Sequence, residues 1–237
     1  MNMKKVKVLL VIFALFACLA KAQNEPGNHI HYWQLGIGLG ELPIGGSFKP
    51  SFTIGYKINE KLYLGIVFQL KDQIKRNGSS INAKSSGLDG LISSTEVVSP
   101  RFMFQLRYVP VKYGPYLSCG YVYNGKDTEN MIFDNRERII ASEPITGNIQ
   151  IQQCRPGGGG LSLGLGYQYN FNNGFSAGFE WTPAWFQCPE PEYTITGSTE
   201  LPTIVKSNLE KEMNESFKKS VTNLYKIFHI GVAYSFK

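Results

Sequence analysis

After residue 22 the sequence has no apolar run of the ~20 residues that a membrane-spanning helix requires. It also lacks a strong charge of one sign. Of 24 basic and 18 acidic residues, Lys4, Lys5, Lys7 and Lys21 fall in the first 22 positions, which hold no acid. The remainder carries 20 basic against 18 acidic residues, so the basic surface that nucleic-acid binding needs is missing. Cysteine is scarce: Cys119, Cys154 and Cys188 follow Cys18, an odd set that allows one internal pair at most. Histidine is scarcer. His29 and His31 share the parity of Trp33, whereas His229 lies on the opposite parity of the last strand. The three do not converge on a metal site or a catalytic triad. No Gly-Lys-Ser/Thr follows the run Gly157–Gly160, so it is not a phosphate loop.

The apolar run that is present lies at the start. Three lysines precede Val8–Ala20, and Ala20-Lys21-Ala22 offers a small-residue cleavage site. This pattern predicts a secretory signal peptide over 1–22 and one mature domain over 23–237. Leu15-Phe16-Ala17-Cys18 matches a lipobox loosely, which keeps lipidation of Cys18 as the lesser reading.

The mature chain alternates. Strands are predicted at about Ile30–Gly40, Ser51–Ile58, Leu62–Lys71, Arg101–Val109, Tyr116–Asn124, Gly160–Phe171, Phe175–Trp185 and Tyr225–Lys237. In each, every second residue is apolar, as on a strand with one apolar face. The other face is rich in Gly, Ser and Gln and poor in charge. A soluble calyx such as a lipocalin would show a charged exterior instead. The pattern therefore turns the apolar face outward, toward lipid, and the small polar residues into a narrow lumen. Trp33, Tyr56, Tyr108, Tyr123, Tyr169, Trp181 and Phe236 fall toward the ends of the apolar faces, where aromatics meet a bilayer interface. Connections alternate in length. Asn59–Lys61, Pro110–Gly114 and Asn172–Gly174 are short; Asp72–Ser99, Gly125–Gly158 and Phe186–Asn223 are long. Together these features predict an all-β fold: an eight-stranded antiparallel transmembrane β-barrel with short periplasmic turns and long extracellular loops.

Two long connections carry further signals. Ile145, Ile149 and Ile151 allow a hairpin beyond the main sheet. Val205, Leu209, Met213, Phe217 and Val221 recur every fourth residue within Ile204–Val221, predicting a short amphipathic helix in the last loop.

The last strand carries a resemblance. His229-Ile230-Gly231-Val232-Ala233-Tyr234-Ser235-Phe236 reads polar-x-Gly-x-x-aromatic-x-Phe, with Lys237 one residue beyond the usual end. It resembles the C-terminal signal of small outer-membrane β-barrel proteins of the OmpA/OmpW type. The resemblance implies location in the outer membrane of a Gram-negative cell. It also implies contact with outer-membrane lipid, and recognition of Gly231, Tyr234 and Phe236 by the barrel assembly machinery.

Chemistry is sparse. Glu180 has lumen parity at mid-strand, and a buried carboxylate needs a partner. Arg107, Arg101, Lys57, Lys71 and His229 share that parity, so a lumen charge network of these six residues is expected. Cys154 and Cys188 fall in long extracellular connections and form the expected disulfide, leaving Cys119 as a lipid-facing free thiol. No cofactor is implied and no nucleophile has a base and an orienting partner in sequence reach. The sequence therefore predicts a non-catalytic outer-membrane barrel whose loops serve adhesion, ligand binding or envelope structure, with an extracellular ligand or envelope complex as partner. The alternatives are a narrow solute channel, an accessory barrel of a secretion or uptake complex, a lipid-modifying enzyme and a soluble calyx.

Overall fold

The structure, a computed structural model, describes residues 33–40, 49–59, 61–79, 88–110, 114–186, 189–220 and 224–236. The expected signal segment, His29, His31 and Cys188 lie outside the described residues. In chain order the first strands are β1 (Trp33–Leu39), β2 (Pro50–Lys57), β3 (Leu62–Gln69), β4 (Asp72–Asn77), β5 (Leu91–Val98) and β6 (Arg101–Tyr108). Then come β7 (Gly114–Asn124), β8 (Asp127–Ile140), β9 (Glu143–Arg155), β10 (Gly158–Asn170), β11 (Phe175–Phe186) and β12 (Glu192–Gly197). A helix, α1 (Thr203–Ser220), leads to the last strand, β13 (Leu224–Phe236).

Eight of these strands close a barrel in the order β1-β13-β11-β10-β7-β6-β3-β2, with every neighbour antiparallel. They are the eight expected from alternation. The closing pair joins the two ends of the chain, Trp33 opposite Phe236 and Leu39 opposite Ile230. The apolar parity faces outward: Leu35, Ile54, Leu64, Phe104, Leu117, Leu163 and Phe179 are all exposed on the wall. Trp33 packs edge-on against Tyr56 with ring centroids 5.2 Å apart, at the short-turn rim. Trp181 departs from its expected place. It pairs with Leu165 and Phe228 in mid-wall, and the cap-end position is taken by Trp185.

The short turns gather at one end. Asn59 accepts from the backbone N–H groups of Lys61 and Leu62 (2.8 and 2.9 Å), the local bond that favours Asn in turns. Gly174 closes the Asn172–Gly174 turn at φ +86°, a conformation that suits glycine.

At the other end the long connections are not structureless loops, and the sequence expectation is corrected here. Five barrel strands run on, after short breaks, into a second sheet of order β12-β9-β8-β5-β4. That order repeats β11-β10-β7-β6-β3 of the barrel, because each outer strand is the chain's continuation of a barrel strand. The longest hairpin, β8–β9, turns at Ala141 and Ser142, both with positive φ (52° and 67°). α1 packs against the inner face of this sheet. Its Val205, Leu209 and Met213 are buried against Met131, Phe133, Ile149, Ile151 and Ile195. This five-stranded sheet and its helix form a cap with its own hydrophobic core, and burial of each such side chain contributes roughly 1.5–3 kcal/mol.

Candidate functional site: the sealed lumen and the cap above it

The lumen is built by the small-residue parity. Glu180 projects inward from β11 and is 1% exposed. Arg107 on β6 meets it at 2.9 Å. Tyr116 and Ser118 on β7 donate to its two oxygens at 2.9 and 2.6 Å, and Thr182 donates at 2.9 Å. Gln105, with its amide nitrogen turned to the carboxylate, donates at 3.0 and 3.1 Å and accepts from Arg107 at 2.6 and 2.9 Å. The Arg107 guanidinium lies 4.9 Å from the ring centres of both Tyr63 and Tyr116. A charge withdrawn from water requires a full set of partners, and Glu180 has them. Glycine at 164 is required beside this cluster, because a Cβ there would strike Ser118 and come within 2.6 Å of Thr182 and 3.0 Å of Glu180. A void toward the short-turn end, bordered by Gln34, Arg107, Ser176 and His229, is about 30 Å³. That is on the order of one water molecule.

Of the other expected network residues, Arg101, Lys57 and Lys71 lie away from Glu180, whereas His229 is its cross-strand neighbour. Arg101 sits at the cap end, donating to Asn124 (2.9 Å) and Gln69 (3.3 Å). Lys57 lies at the end of β2, near the short turns, opposite Tyr63. Lys71 is exposed in the break between β3 and β4, where the alternation is interrupted and lumen parity no longer holds. His229 is buried, and its Nδ1 lies 2.9 Å from Ser51 Oγ. This is a hydroxyl–imidazole pair, but both residues are closed inside the lumen. The oxygens of the neighbouring Glu180 are engaged by Arg107, Tyr116, Ser118 and Thr182. A nucleophile requires an oriented base and access to substrate.

Sequence reading missed Gln105, Tyr116 and Ser118, which bond Glu180, and Tyr63, whose ring lies against Arg107. Their signal was available, since each has lumen parity on a barrel strand, with Tyr63 directly opposite Arg107. It also missed Lys49, which is fully buried at the cap end and donates to the Ser99 carbonyl at 3.2 Å.

Between barrel and cap the polar interior is continuous. Asn124 donates to Asp127 at 3.1 Å, and Asp127 accepts from the Ser99 N–H at 2.8 Å. On the inner face of the cap Glu96 is held by Arg76 (2.9 Å) and Arg155 (3.4 Å). Burial pushes the Glu96 carboxyl above the usual range, partly offset by these two guanidinium groups. Burial also pushes the Tyr193 phenol up to about 12. At the exposed tip the opposite holds: hydrogen bonding to Arg136, with Arg138 close by, holds Asp134 below the usual carboxylate range.

The expected Cys154–Cys188 pairing involves Cys188, which lies outside the described residues. Cys154 is a free thiol, fixed within β9 opposite Thr128 and Glu192. Cys119 is a free thiol exposed on the barrel wall.

A closed eight-stranded antiparallel wall with an apolar exterior and a polar, filled interior defines the fold as that of an outer-membrane β-barrel. Solved structures agree. CarO of Acinetobacter baumannii superposes with a TM-score of 0.51 at 12% identity, covering 89% of this chain and 100% of that one. CarO2 of the same organism superposes with a TM-score of 0.52 at 11% identity, covering 88% and 100%. At such identities the likeness is one of fold. No protein-family model matches the sequence, and no curated protein matches it.

Proposed function

We propose that this chain is an integral outer-membrane protein whose barrel is a sealed anchor and whose cap is the working surface, used for recognition outside the cell. The carrying observation is the pairing of a filled lumen with a separately cored cap. Arg107, Tyr116, Ser118 and Gln105 close on Glu180 across the barrel, while α1 and five strands are held together above it. An eight-stranded barrel is just wide enough for its own side chains, which supports an anchor over a pore. Loops and extensions on a rigid scaffold commonly carry binding. In this reading the protein is non-catalytic. Its partners are outer-membrane lipid, the barrel assembly machinery during insertion through Gly231, Tyr234 and Phe236, and an extracellular ligand or envelope complex at the cap.

Planar-bilayer recording of purified protein tests the seal. The expected result is no discrete conductance, with steps appearing only when Glu180 or Arg107 is replaced. Steps in the wild type would establish the channel reading instead. An epitope inserted between Ala141 and Ser142 tests the topology: antibody should reach it in intact cells, and labelling only after the outer membrane is opened would reverse the orientation.

A further inference from the structure

Among the described residues seven buried polar atoms have no hydrogen-bond partner, and they are not spread evenly. Four belong to Arg76, Gln153 and Tyr193 on the inner face of the cap sheet: Arg76 Nη1, both amide atoms of Gln153 and the Tyr193 hydroxyl. Buried polar groups are normally paired, so their concentration in one place needs an explanation. These residues frame one row. Ile74, Glu96, Glu129, Gln153 and Tyr193 stand side by side across the five strands. On the side toward the tip Met131, Ile151 and Ile195 belong to the apolar core; on the side toward the barrel Asp127 stands opposite Arg155.

The inner side chains converge. Arg155 on β9 reaches past β8 to Glu96 on β5 at 3.4 Å, and Arg76 on β4 meets the same carboxylate at 2.9 Å. Gln153 is 2% exposed and stands directly opposite both Glu129 and Tyr193. Tyr193 lies on the edge strand β12, with its ring partly exposed and its hydroxyl buried. The ring is thus a rim and the hydroxyl points inward. The charges of the row are already matched: Glu96 holds both guanidinium groups, and Glu129 accepts from Ser94 at 2.5 Å. An added cation would meet Arg76 and Arg155, and an added anion would meet Glu96 and Glu129. What remains uncommitted is an amide, a phenol and one guanidinium nitrogen. Amide and phenol both donate and accept, so a neutral molecule whose groups also do both satisfies them, as the hydroxyls of a polyol do. The Tyr193 ring adds an apolar face beside these groups, the mixture found in small-molecule sites. The filled lumen closes the way onward, so a ligand here is held and not passed through.

We infer that the inner row of the cap binds a neutral sugar at Gln153 and Tyr193. This inference rests on the reading of the cap as the recognition element and deepens it. The ligand class is a neutral polyol, and its site lies inside the cap, between the apolar core and the sealed lumen.

The test uses full-length protein in a sugar-free detergent, titrated with glucose, galactose and N-acetylglucosamine and followed by saturation-transfer NMR. At least one sugar should bind saturably. Gln153→Met removes both amide atoms at similar length, and Tyr193→Phe removes only the hydroxyl. Each should weaken binding about tenfold. Each should also leave hydrogen-exchange protection of β9 and β12 in the free protein equal or higher, because it removes a buried group that lacks a partner. Lost binding without lost protection is a combination that a merely structural role does not produce. Absence of saturable binding for all three sugars, or binding unmoved in both variants, overturns the proposal. So does lowered protection in both variants, which would make these groups part of the cap's own bonding. Displacement of the sugar by sodium sulfate or calcium chloride would assign the row to an ion, and tighter binding of a blocked alanine dipeptide would assign it to an extended chain; either result overturns the sugar. Binding by purified protein that is absent from intact cells would leave the site standing and fail the outward orientation of the cap instead.

Discussion

The five strands of the cap continue five of the barrel's eight, with opposite polarity. In the barrel Phe104, Leu117 and Leu163 face out while Glu180, Arg107 and Ser118 fill the interior. In the cap Met131, Ile151 and Ile195 are inside while Asn130, Gln152 and Thr194 face out. The inversion lies within the cap strands and not at the breaks: on β8 the buried side stays polar through Asp127 and Glu129 and turns apolar at Met131. A sheet surrounded by lipid gains nothing from an apolar core, so its specificity comes from a polar one. A sheet surrounded by water follows the ordinary rule. In the outer-membrane reading proposed above the fold changes solvent along its own axis, and each half should fail by its own mechanism.

The largest effect is expected in the barrel core. Glu180→Ala leaves Arg107 buried without its counter-charge, and breaking a buried pair in this way costs about 3–5 kcal/mol. Denaturant titration followed by heat-dependent gel migration should show that loss, with hydrogen-exchange protection of α1 unchanged. Coupled loss of α1 protection would mean that barrel and cap are one cooperative unit. The mirror experiment is Leu209→Ala. Leu209 is 1% exposed in the cap core, and truncation of such a side chain costs about 2–5 kcal/mol. Proteolysis within α1 should accelerate while the gel shift of the barrel stays put.

A pH titration distinguishes the halves next. The folded cap holds the Glu96 carboxyl above its ordinary value of 4.5, chiefly by burial. The folded state then binds this proton more tightly than the unfolded chain. Its contribution is fully present below the ordinary value and is lost as pH rises through the raised one. Amide protection in β5 and β8 should therefore fall as pH climbs out of the acid range. Glu96→Gln should flatten that dependence, even if it lowers stability overall by releasing Arg76 and Arg155 from their charge partner.

The sequence was legible where one solvent rule applied and illegible where the rule changed. The barrel strands were found within a few residues because lipid outside and small side chains inside produce unbroken alternation, as in Leu161–Tyr169. α1 was found because Val205, Leu209 and Met213 repeat on one face. The cap strands were mostly not found. On β5 and β8 the inner face near the barrel is itself polar, with Glu96, Glu129 and Asp127, and the outer face is Thr and Asn, so alternation of character disappears. The β8–β9 turn was hidden too, because Ala141-Ser142 lacks the Asn-Gly or Gly-rich signature of a two-residue hairpin. At the site, parity and the need for a partner left Arg107, Arg101 and Lys57 as candidates for Glu180, and the structure pairs it with Arg107. Lys71 was misplaced because parity cannot be counted through an irregular break.

The smallest effect is expected at the cap's exposed tip, and it isolates burial as the variable. Asp134 bonds Arg136 at 2.5 Å and Arg138 at 2.6 Å, a carboxylate between two guanidinium groups. The chemistry is that of Glu180 and Arg107, but Asp134 is a third exposed and Arg136 nearly half exposed. Water and salt screen the exposed Asp134–Arg136 pair, so loss of the carboxylate costs little there. Arg138, the buried member, keeps other anchors: it donates to the carbonyls of Asp89 (3.1 Å), Asp134 (3.0 Å) and Gly147 (3.2 Å). Asp134→Asn should therefore leave both the gel shift and the protection of β8 and β9 unchanged at physiological salt. Any difference should be confined to low ionic strength. A loss comparable to that of Glu180→Ala would mean that the tip carries structural weight that its exposure does not predict, and that the division of this molecule into a polar-cored barrel and an apolar-cored cap is drawn in the wrong place.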